Sequence, residues 1–574
     1  MGVSIEVNNQ KIDAQSGEPI LNALRRNGIK VPTLCRMEGF TPTGACRMCV
    51  VEVAGKNDLV PSCSFPVTDG MKITTHSPRV IKARKMIVEL LLSNHPDDCL
   101  YCIRNGSCEL QNLAGELNVR ERRISGVKSM AHLDQSSPGI VRDPGKCILC
   151  GRCVRVCDEI QDVATLDFVQ RGDTTAIGTA MGKELNFSNC IHCGQCILVC
   201  PTGALHEKTN FDIVQEALNN PDLTVAVQYS PSISVSLCNE MEVRTGKDLT
   251  GVLNAALRKM GFNRIYNNAF AVDMLAYEQA AELEKRLQED SQLPLITSDC
   301  PGWVKYMEQS HADLIPFMST CKSPQQMLGT LIKQHLSENE AIHRESVFSV
   351  AIMPCTAKKF EAQRPQMMHK GVSDVDAVLT TREIAKLIHL YGIDIHNITP
   401  QATNEPFNAR SSAAKLAATS GGISEGVLRA FSHRTTGKEL RPLKQAKLRS
   451  SKTRKEVEVS VGERTLLVVA VSGLKAARRV LDEVRAGELH VDLLEVMACP
   501  GGCLSGGGQP LLVQEKDQKA RVKTVYTFDE KESMKAAHQN TQMVRYFEEY
   551  LGEPMGEKAQ QLLHTTYSKR EVLK

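Results

Sequence analysis

The sequence predicts a multidomain protein, α+β in a series of small modules at the front and α/β in a larger two-lobed body behind them. Three observations carry that expectation. At 574 residues the chain exceeds what one hydrophobic core serves, and roughly three to five domains are expected. Fifteen of its 21 cysteines fall before residue 209 in tight, repeated spacings, which indicates metal ligands rather than a disulfide framework. From about residue 210 the texture changes to apolar strand-like runs alternating with amphipathic helical ones, the pattern of an α/β layer structure.

Composition narrows the partners. With 69 basic and 66 acidic residues the net charge is +3, so no nucleic acid is indicated. No stretch approaches 18 apolar residues; Leu466 to Leu474 suits a buried strand, and no membrane span is expected. The N-terminal MGVSIEVNNQ lacks the apolar core of a secretory leader, and Glu6 stands where a myristoylation signal needs Ser or Thr. Thiols in ligand-like spacing suit a reducing compartment, so a soluble cytoplasmic protein is expected.

Residues 1–80 open with VSIEVNN and KIDAQ, read as strand, turn and strand. A helix follows over PILNALRR, with Leu21 and Leu24 on one face. Cys35, Cys46, Cys49 and Cys63 then read C-x10-C-x2-C-x13-C. The C-x2-C core is that of plant-type 2Fe–2S ferredoxins with a longer first gap; a four-cysteine zinc site is the alternative. Residues 81–126 begin with the helical run RVIKARKMIVELLLSNHP, stopped by Pro96, and carry His95, Cys99, Cys102 and Cys108. One histidine with three cysteines would by itself also suit zinc. Both sets resemble the iron–sulfur domains of complex I's large iron–sulfur subunit. That likeness implies a 2Fe–2S cluster on the first and a histidine-ligated 4Fe–4S cluster on the second. In residues 127–209 the run C-x2-C-x2-C-x3-C occurs twice. In a two-cluster ferredoxin the fourth cysteine of each run serves the other cluster. Cys147, Cys150 and Cys153 are therefore grouped with Cys200, and Cys190, Cys193 and Cys196 with Cys157.

Residues 210–524 form the expected α/β body. DLTVAVQYSPSI reads as a strand and GVLNAALRKMGF as a helix, while MLAYEQAAELEKRLQED reads as a helix with charge on its outer face. SVFSVAIMPCTA delivers Cys355 from a strand end, RTLLVVAVSGL is a further strand, and HVDLLEVMACPG delivers Cys499. LRSSKTRKEVEVSVGERT is expected to be a solvated hairpin or loop, and the tail, 525–574, to be helical.

The stretch EVMACPGGCLSGGGQP places Cys499 and Cys503 on a glycine-rich turn, where backbone can approach a bulky group. Alone, the pair also suits a zinc knuckle or a redox dithiol. TSDCPGW and MPCTAKK add Cys300 and Cys355, making four thiolates from three segments, a cubane-type site assembled by folding. Cys238 and Cys321 remain, each read as a small buried hydrophobe.

These three motifs, in this order, resemble the signatures of the FeFe-hydrogenases. The resemblance implies an H-cluster, a 4Fe–4S cubane on Cys300, Cys355, Cys499 and Cys503, with Cys503 bridging to a diiron subsite that carries CO, CN and a dithiolate bridge. It implies Lys358 beside a cyanide, Met353 and Met497 as soft walls, and Pro231, Ser232 and Gln325 as hydrogen-bonding neighbours. For the two methionines core packing is the competing reading. It also implies dihydrogen and protons as substrates, ferredoxin as electron partner, one 2Fe–2S and three accessory 4Fe–4S clusters, and maturation proteins for the diiron subsite. The tail resembles that family's small-subunit segment.

The chain departs from the family pattern in its proton route. Asp299 stands where relatives usually place a relaying cysteine; its ordinary pKa is ~3.9 against ~8.5 for cysteine, and burial is expected to raise it. Gln279 replaces the usual glutamate and cannot titrate, while Glu278 lies about 100° round a helix from it. Ser319, Glu282 and Arg286 match. Ala417 stands where many relatives have phenylalanine. The alternatives are a slow, biased or sensory hydrogenase, the hydrogenase module of a larger complex, or a non-enzymatic iron–sulfur assembly protein. Lys358, Met353, Met497 and the GGGQP run weigh against the last.

Overall fold

The computed structural model describes all residues except 1, 122, 129–131, 245, 290, 441–446, 512, 514 and 573–574. The N-terminal module is a five-stranded sheet in the order Gln10–Gln15, Gly2–Val7, Lys72–Thr74, Val50–Val53, Val60–Pro61. Its hairpin closes on Asn8 and Asn9 with φ of 49° and 67°, the left-handed pair that matches strand twist and that asparagine tolerates. Helix Ile20–Arg26 buries Ile20, Leu21, Ala23 and Leu24 in a core that also takes Cys49 and Cys63.

Helix Pro78–Asn94 starts as its sequence dictates, with Pro78 at the first turn and the Ser77 side chain accepting from Val80 N at 3.2 Å. Two positions before Pro96 it stops, and His95 caps it. In the next module, strands Ile140–Arg142 and Leu205–Glu207 pair antiparallel and fold the two cysteine runs against each other. Gly151 and Gly194, with φ of 72° and 70°, each open a short helix and turn Cys153 and Cys196 onto its first turn.

The body has two lobes, each built on a four-stranded sheet. One is fully parallel, in the order Arg264–Asn267, Thr224–Tyr229, Val347–Met353, Ala377–Thr380. The other runs Leu295–Ile296, Leu493–Met497, Arg464–Ser472, Arg454–Val461, with only the last strand antiparallel. The parallel strands are buried on both faces, which explains their continuous apolar runs.

Three sequence expectations need correction. Helix Ala269–Glu289 presents only part of its charge to water: Lys285 and Glu289 are exposed, but Glu278, Glu282 and Arg286 are buried. It packs between helices Pro324–Asn339 and Gly422–Thr436, and the tail covers it, which local periodicity cannot foresee. Asp290, the last residue of that expected helix, lies outside the described residues. The supposed solvated hairpin is half-buried: Lys455, Val457, Val459 and Val461 face inward along strand Arg454–Val461. The alternation KEVEVSV is the period-2 signature of an edge strand on a core. Finally, helix Glu515–Lys531 runs unbroken through residue 525, since nothing in EKDQKARVKTVYTFDEK breaks a helix.

Val459→Asp should lower the stability of the body by about 3 kcal/mol or more, because it buries an unpaired carboxylate. Exposed Glu458→Lys should stay within about 0.5 kcal/mol. Unfolding temperatures of the two variants, side by side, read the difference.

Candidate active site

The C-terminal ends of four strands from the two sheets meet at one cavity, the place where open α/β sheets bind ligands. Tyr229 leads to Pro231, Ile296 to Asp299 and Cys300, Met353 to Cys355, and Met497 to Cys499. The cavity, of about 760 Å³, is lined by Cys300, Cys355, Cys499 and Cys503 together with Pro231, Asp299, Gln325, Met353, Lys358, Ala417 and Met497. Ser232 lies one layer back: its hydroxyl is 2.9 Å from that of Ser230, and Ser230 is the serine on the cavity wall.

Burial pushes the Cys300 thiol up to about 12, with Cys355 adding to the rise. Burial also raises Cys499 and Cys503 well above the ordinary thiol range, again with help from neighbouring thiols. Cys355 is raised by burial and pulled back by Lys358. Four such thiols ionise together only around a cation, and soft thiolates select iron–sulfur clusters, zinc or copper(I). Among the described residues, no three His, Cys, Asp or Glu side chains converge closely enough for a single metal ion. Thiols that line one cavity without converging on a point suit a multi-iron group instead. The backbone agrees: a Cβ on Gly506 would sit 2.2 Å from Pro354 O, and one on Gly507 would sit 2.2 Å from Cys193 O. Only glycine permits that approach.

Lys358 belongs to the site. Its Nζ donates to the Asp299 carbonyl at 3.1 Å and to Glu361 Oε2 at 2.9 Å. Burial opposes its charge, but Glu361 outweighs burial, so its pKa is raised. Glu361 Oε2 also accepts from Ser323 Oγ at 2.8 Å and Gln325 Nε2 at 3.3 Å, which leaves Gln325 Oε1 buried without a partner in the structure. Sequence reading missed Glu361, although its i,i+3 spacing from Lys358 was there to read.

Burial raises the Asp299 carboxyl, with Lys358 pulling it back, and its Oδ1 has no hydrogen-bond partner in the structure. Ser319 Oγ donates to Glu282 Oε2 at 2.6 Å, and Arg286 holds the other oxygen at 2.6 Å. Both amide atoms of Gln279 are buried and unpartnered. Glu278, turned round the helix from Gln279, accepts from Met555 N at 2.8 Å and meets His564 Nε2 at 3.3 Å. His564 in turn reaches Thr320 Oγ1 at 2.7 Å. Cys238 and Cys321 are both fully buried.

The accessory cysteines fall into separate groups. Cys35 contacts Cys46, and Cys49 contacts Cys63. His95 and Cys108 are buried, while Cys99 is exposed at the start of the 3₁₀ turn Cys99–Tyr101. A cavity of about 440 Å³ is lined by Cys147, Cys150, Cys153 and Cys200. Another, of about 430 Å³, is lined by Cys157, Cys190, Cys193 and Cys196. The latter module is bolted to the body: Gln161 Nε2 donates to Ala498 O at 2.9 Å, Gln195 Nε2 to Ser505 O at 2.9 Å, and Thr356 Oγ1 to His192 O at 2.7 Å. Arg382 adds a buried ion pair to Glu207 at 3.0 Å.

A thiol-walled cavity at the strand ends of a two-sheet body, preceded by modules of ligand-spaced cysteines, defines an iron–sulfur oxidoreductase. The family of C-terminal domains from the iron-only hydrogenase large subunit matches residues 223–507, and the iron hydrogenase small subunit family matches 515–570. A 2Fe–2S cluster-binding domain matches 1–78 and an NADH-ubiquinone oxidoreductase-G iron–sulfur binding region 84–123. The ferredoxin-like domain of NADH-quinone oxidoreductase subunit 3 matches 137–206. The NADP-reducing hydrogenase subunit HndD of Solidesulfovibrio fructosivorans is 39% identical, with 100% of each chain covered. Iron hydrogenase 1 of Clostridium pasteurianum is 34% identical over 99% of this chain and 100% of that one. A structure of the [FeFe]-hydrogenase HydA1 from Chlamydomonas reinhardtii superposes with a TM-score of 0.56 at 32% identity, covering 62% of this chain and 98% of that one. The chain belongs to the FeFe-hydrogenases, whose cofactors are iron–sulfur clusters and the H-cluster.

Gly507→Ala should cost the catalytic cavity its iron and lower the unfolding temperature, because the backbone facing it at Cys193 and Gly194 cannot give way. Gly115→Ala, with nothing within 4 Å, should do neither. Iron analysis and thermal unfolding decide.

Proposed function

We propose that the chain catalyses reversible reduction of protons to dihydrogen, with electrons from ferredoxin. The observation that carries this reading is the convergence of Cys300, Cys355, Cys499 and Cys503 on one cavity beside Lys358. These residues fit an H-cluster, with Cys503 as the thiolate shared between cubane and diiron subsite. When bound, that group supplies the iron at which dihydrogen is split or formed. Lys358, held cationic by Glu361, offsets the charge of an anionic ligand. Met353 and Met497 give apolar, polarizable walls, and Pro231, Ser230 and Gln325 supply polar atoms around them.

Asp299 moves the proton. Its unpartnered Oδ1 and raised pKa make it a carboxyl that can both hold and release a proton near the cavity. Glu282, Ser319 and Arg286 continue the route outward, and Gln279 interrupts its usual middle step. The route is therefore altered from the family's, and slow or biased turnover follows from the interruption.

Four ligand sets would carry electrons. Cys35, Cys46, Cys49 and Cys63 would hold a 2Fe–2S cluster. Three 4Fe–4S clusters would sit on His95 with Cys99, Cys102 and Cys108, on Cys147, Cys150, Cys153 and Cys200, and on Cys157, Cys190, Cys193 and Cys196. The functional segments are then 1–80, 81–126, 127–209, 210–524 and 525–574, with the last taking in the whole helix from Glu515. Its 21 cysteines, all free, suit the cytoplasm, where maturation proteins would install the diiron subsite. Full-length similarity to HndD favours a second reading, in which the chain is the hydrogenase module of a pyridine-nucleotide-reducing complex.

Asp299→Asn should keep its iron and lose on the order of 10²-fold in hydrogen turnover, the usual loss for one acid–base group. Near-wild-type turnover at full iron occupancy would contradict the relay. Cys503→Ala should abolish turnover; a retained activity above a few per cent would rule out its bridging role. A chain beginning near residue 210 should keep the catalytic cluster but couple poorly to reduced ferredoxin, and undiminished coupling would exclude the accessory sets as the conduit.

A further inference from the structure

Behind the cysteine set of Cys157, Cys190, Cys193 and Cys196 lies a group of cations that neither the cluster ligands nor the proton route employs. Lys305 and His192 are buried, at 3% and 0% exposure. Lys305 Nζ lies 2.8 Å from His192 Nε2, and His192 Nδ1 lies 2.8 Å from Ser137 Oγ. An ammonium can only donate, so the ring is neutral with its proton on Nδ1. Phe360 stacks on His192 at 4.8 Å between centroids and takes Lys305 Nζ over its face at 4.7 Å. Arg364 and Arg570 stand over the same ring at 6.0 Å and 5.3 Å.

The carboxylates do not match these charges. Glu308 is fully buried and pairs with Arg364 at 2.5 Å and Arg570 at 2.6 Å, so it is committed twice. Asp134, the other buried carboxylate facing Cys190, lies 3.6 Å from Arg142 and accepts from Leu185 N at 2.9 Å. Among the described residues, no carboxylate makes an ion pair with Lys305. A buried ammonium bonded only to a neutral ring needs an anion nearby. With a cluster bound, the thiolates of Cys190 and its set are the anions on hand: His192 N donates to Cys190 Sγ at 3.4 Å, and Lys305 reaches the ring of that same histidine at 2.8 Å.

We propose that Lys305, acting through His192, sets the reduction potential of the 4Fe–4S cluster held by Cys157, Cys190, Cys193 and Cys196, and makes it the electron store beside the catalytic cavity. The inference rests on the reading that these four cysteines hold a cluster. Reduction adds one electron to an already anionic group, and a fixed cation in a low-dielectric setting favours the reduced form. The location gives this a purpose. Gly194 packs on Thr356 and Gly507, and Thr356 follows the catalytic ligand Cys355, so this set is the accessory group that touches the catalytic cavity's walls. Lys305 makes no contact with the cavity and is a positioning residue for charge.

The test is an electron paramagnetic resonance redox titration of the full chain carrying its iron–sulfur clusters, with no diiron subsite required. In Lys305→Met, one 4Fe–4S component should show at least a tenfold lower ratio of reduced to oxidised cluster at fixed ambient potential, 59 mV for a one-electron couple. Lys305→Arg should keep the wild-type ratio, and the other components should not move. If Lys305→Met does not retain its iron, Lys305→Gln carries the test with the same outcomes. Wild-type titration of every component in the uncharged variant would overturn the proposal. An equal shift in Lys305→Arg would also overturn it, since packing rather than charge would then be the cause. Absence of the component from the wild type would instead remove the cluster reading beneath it, whether or not the chain turns over hydrogen.

Discussion

Thiols crowded into one buried cavity repel each other as soon as they ionise, and the body of this protein is organised around relieving that repulsion. Burial and proximity raise Cys300 to about 12 and push Cys499 and Cys503 well up too, so the site as a bare protein holds neutral thiols. A cationic multi-iron group reverses the balance. Lys358 is the protein's own contribution, and Glu361 keeps it charged where burial would strip it. The parallel strands of two sheets bring their ends together at this point, and glycines at 506 and 507 let backbone close over it. Removing one partner of the Lys358–Glu361 pair would leave an uncompensated buried charge, commonly costing about 3–5 kcal/mol.

The same constraint governs how the modules are joined. Conduction requires cluster sites close together, yet every thiolate group added to the interior increases the negative charge that the fold must balance. The junction is accordingly polar and basic. Arg382 pairs with Glu207 and donates to Gly507 O at 2.9 Å, and Lys359 pairs with Glu383 at 2.8 Å. Side-chain bonds from Gln161, Gln195 and Thr356 cross the seam to backbone carbonyls. Such bonds fix register without adding charge.

Ligand spacing was the most legible part of this chain, because a cluster demands cysteines at short intervals and the two ferredoxin-like runs repeat without change. The strands delivering Cys355 and Cys499 were legible too, since strands buried on both faces are continuously apolar. What sequence could not show was which charges are interior. Helix Ala269–Glu289 has an ordinary amphipathic pattern, and only the distant tail, through Met555 and His564, turns Glu278 into a buried carboxylate. Ser232 and Ser230 differ by which side of a turn they occupy, and no periodicity reports that. Strand Arg454–Val461 showed its alternation plainly, but its charge density obscured a half-buried edge.

The proton route proposed above differs from the family's usual one at Asp299 and Gln279. Glu282 is hydrogen-bonded to both Ser319 and Arg286, while Gln279 sits buried with both amide atoms unpartnered. Whether the cavity nonetheless holds the complete catalytic group is the central claim. Infrared spectroscopy of the maturated protein tests it most directly, because carbonyl and cyanide ligands absorb where protein does not. Carbonyl and cyanide bands in the wild type, lost when Cys503 is replaced by Ala, are the predicted result. A protein with full iron in its accessory sets and no such bands would contradict the account and leave an iron–sulfur protein without a hydrogen-activating site.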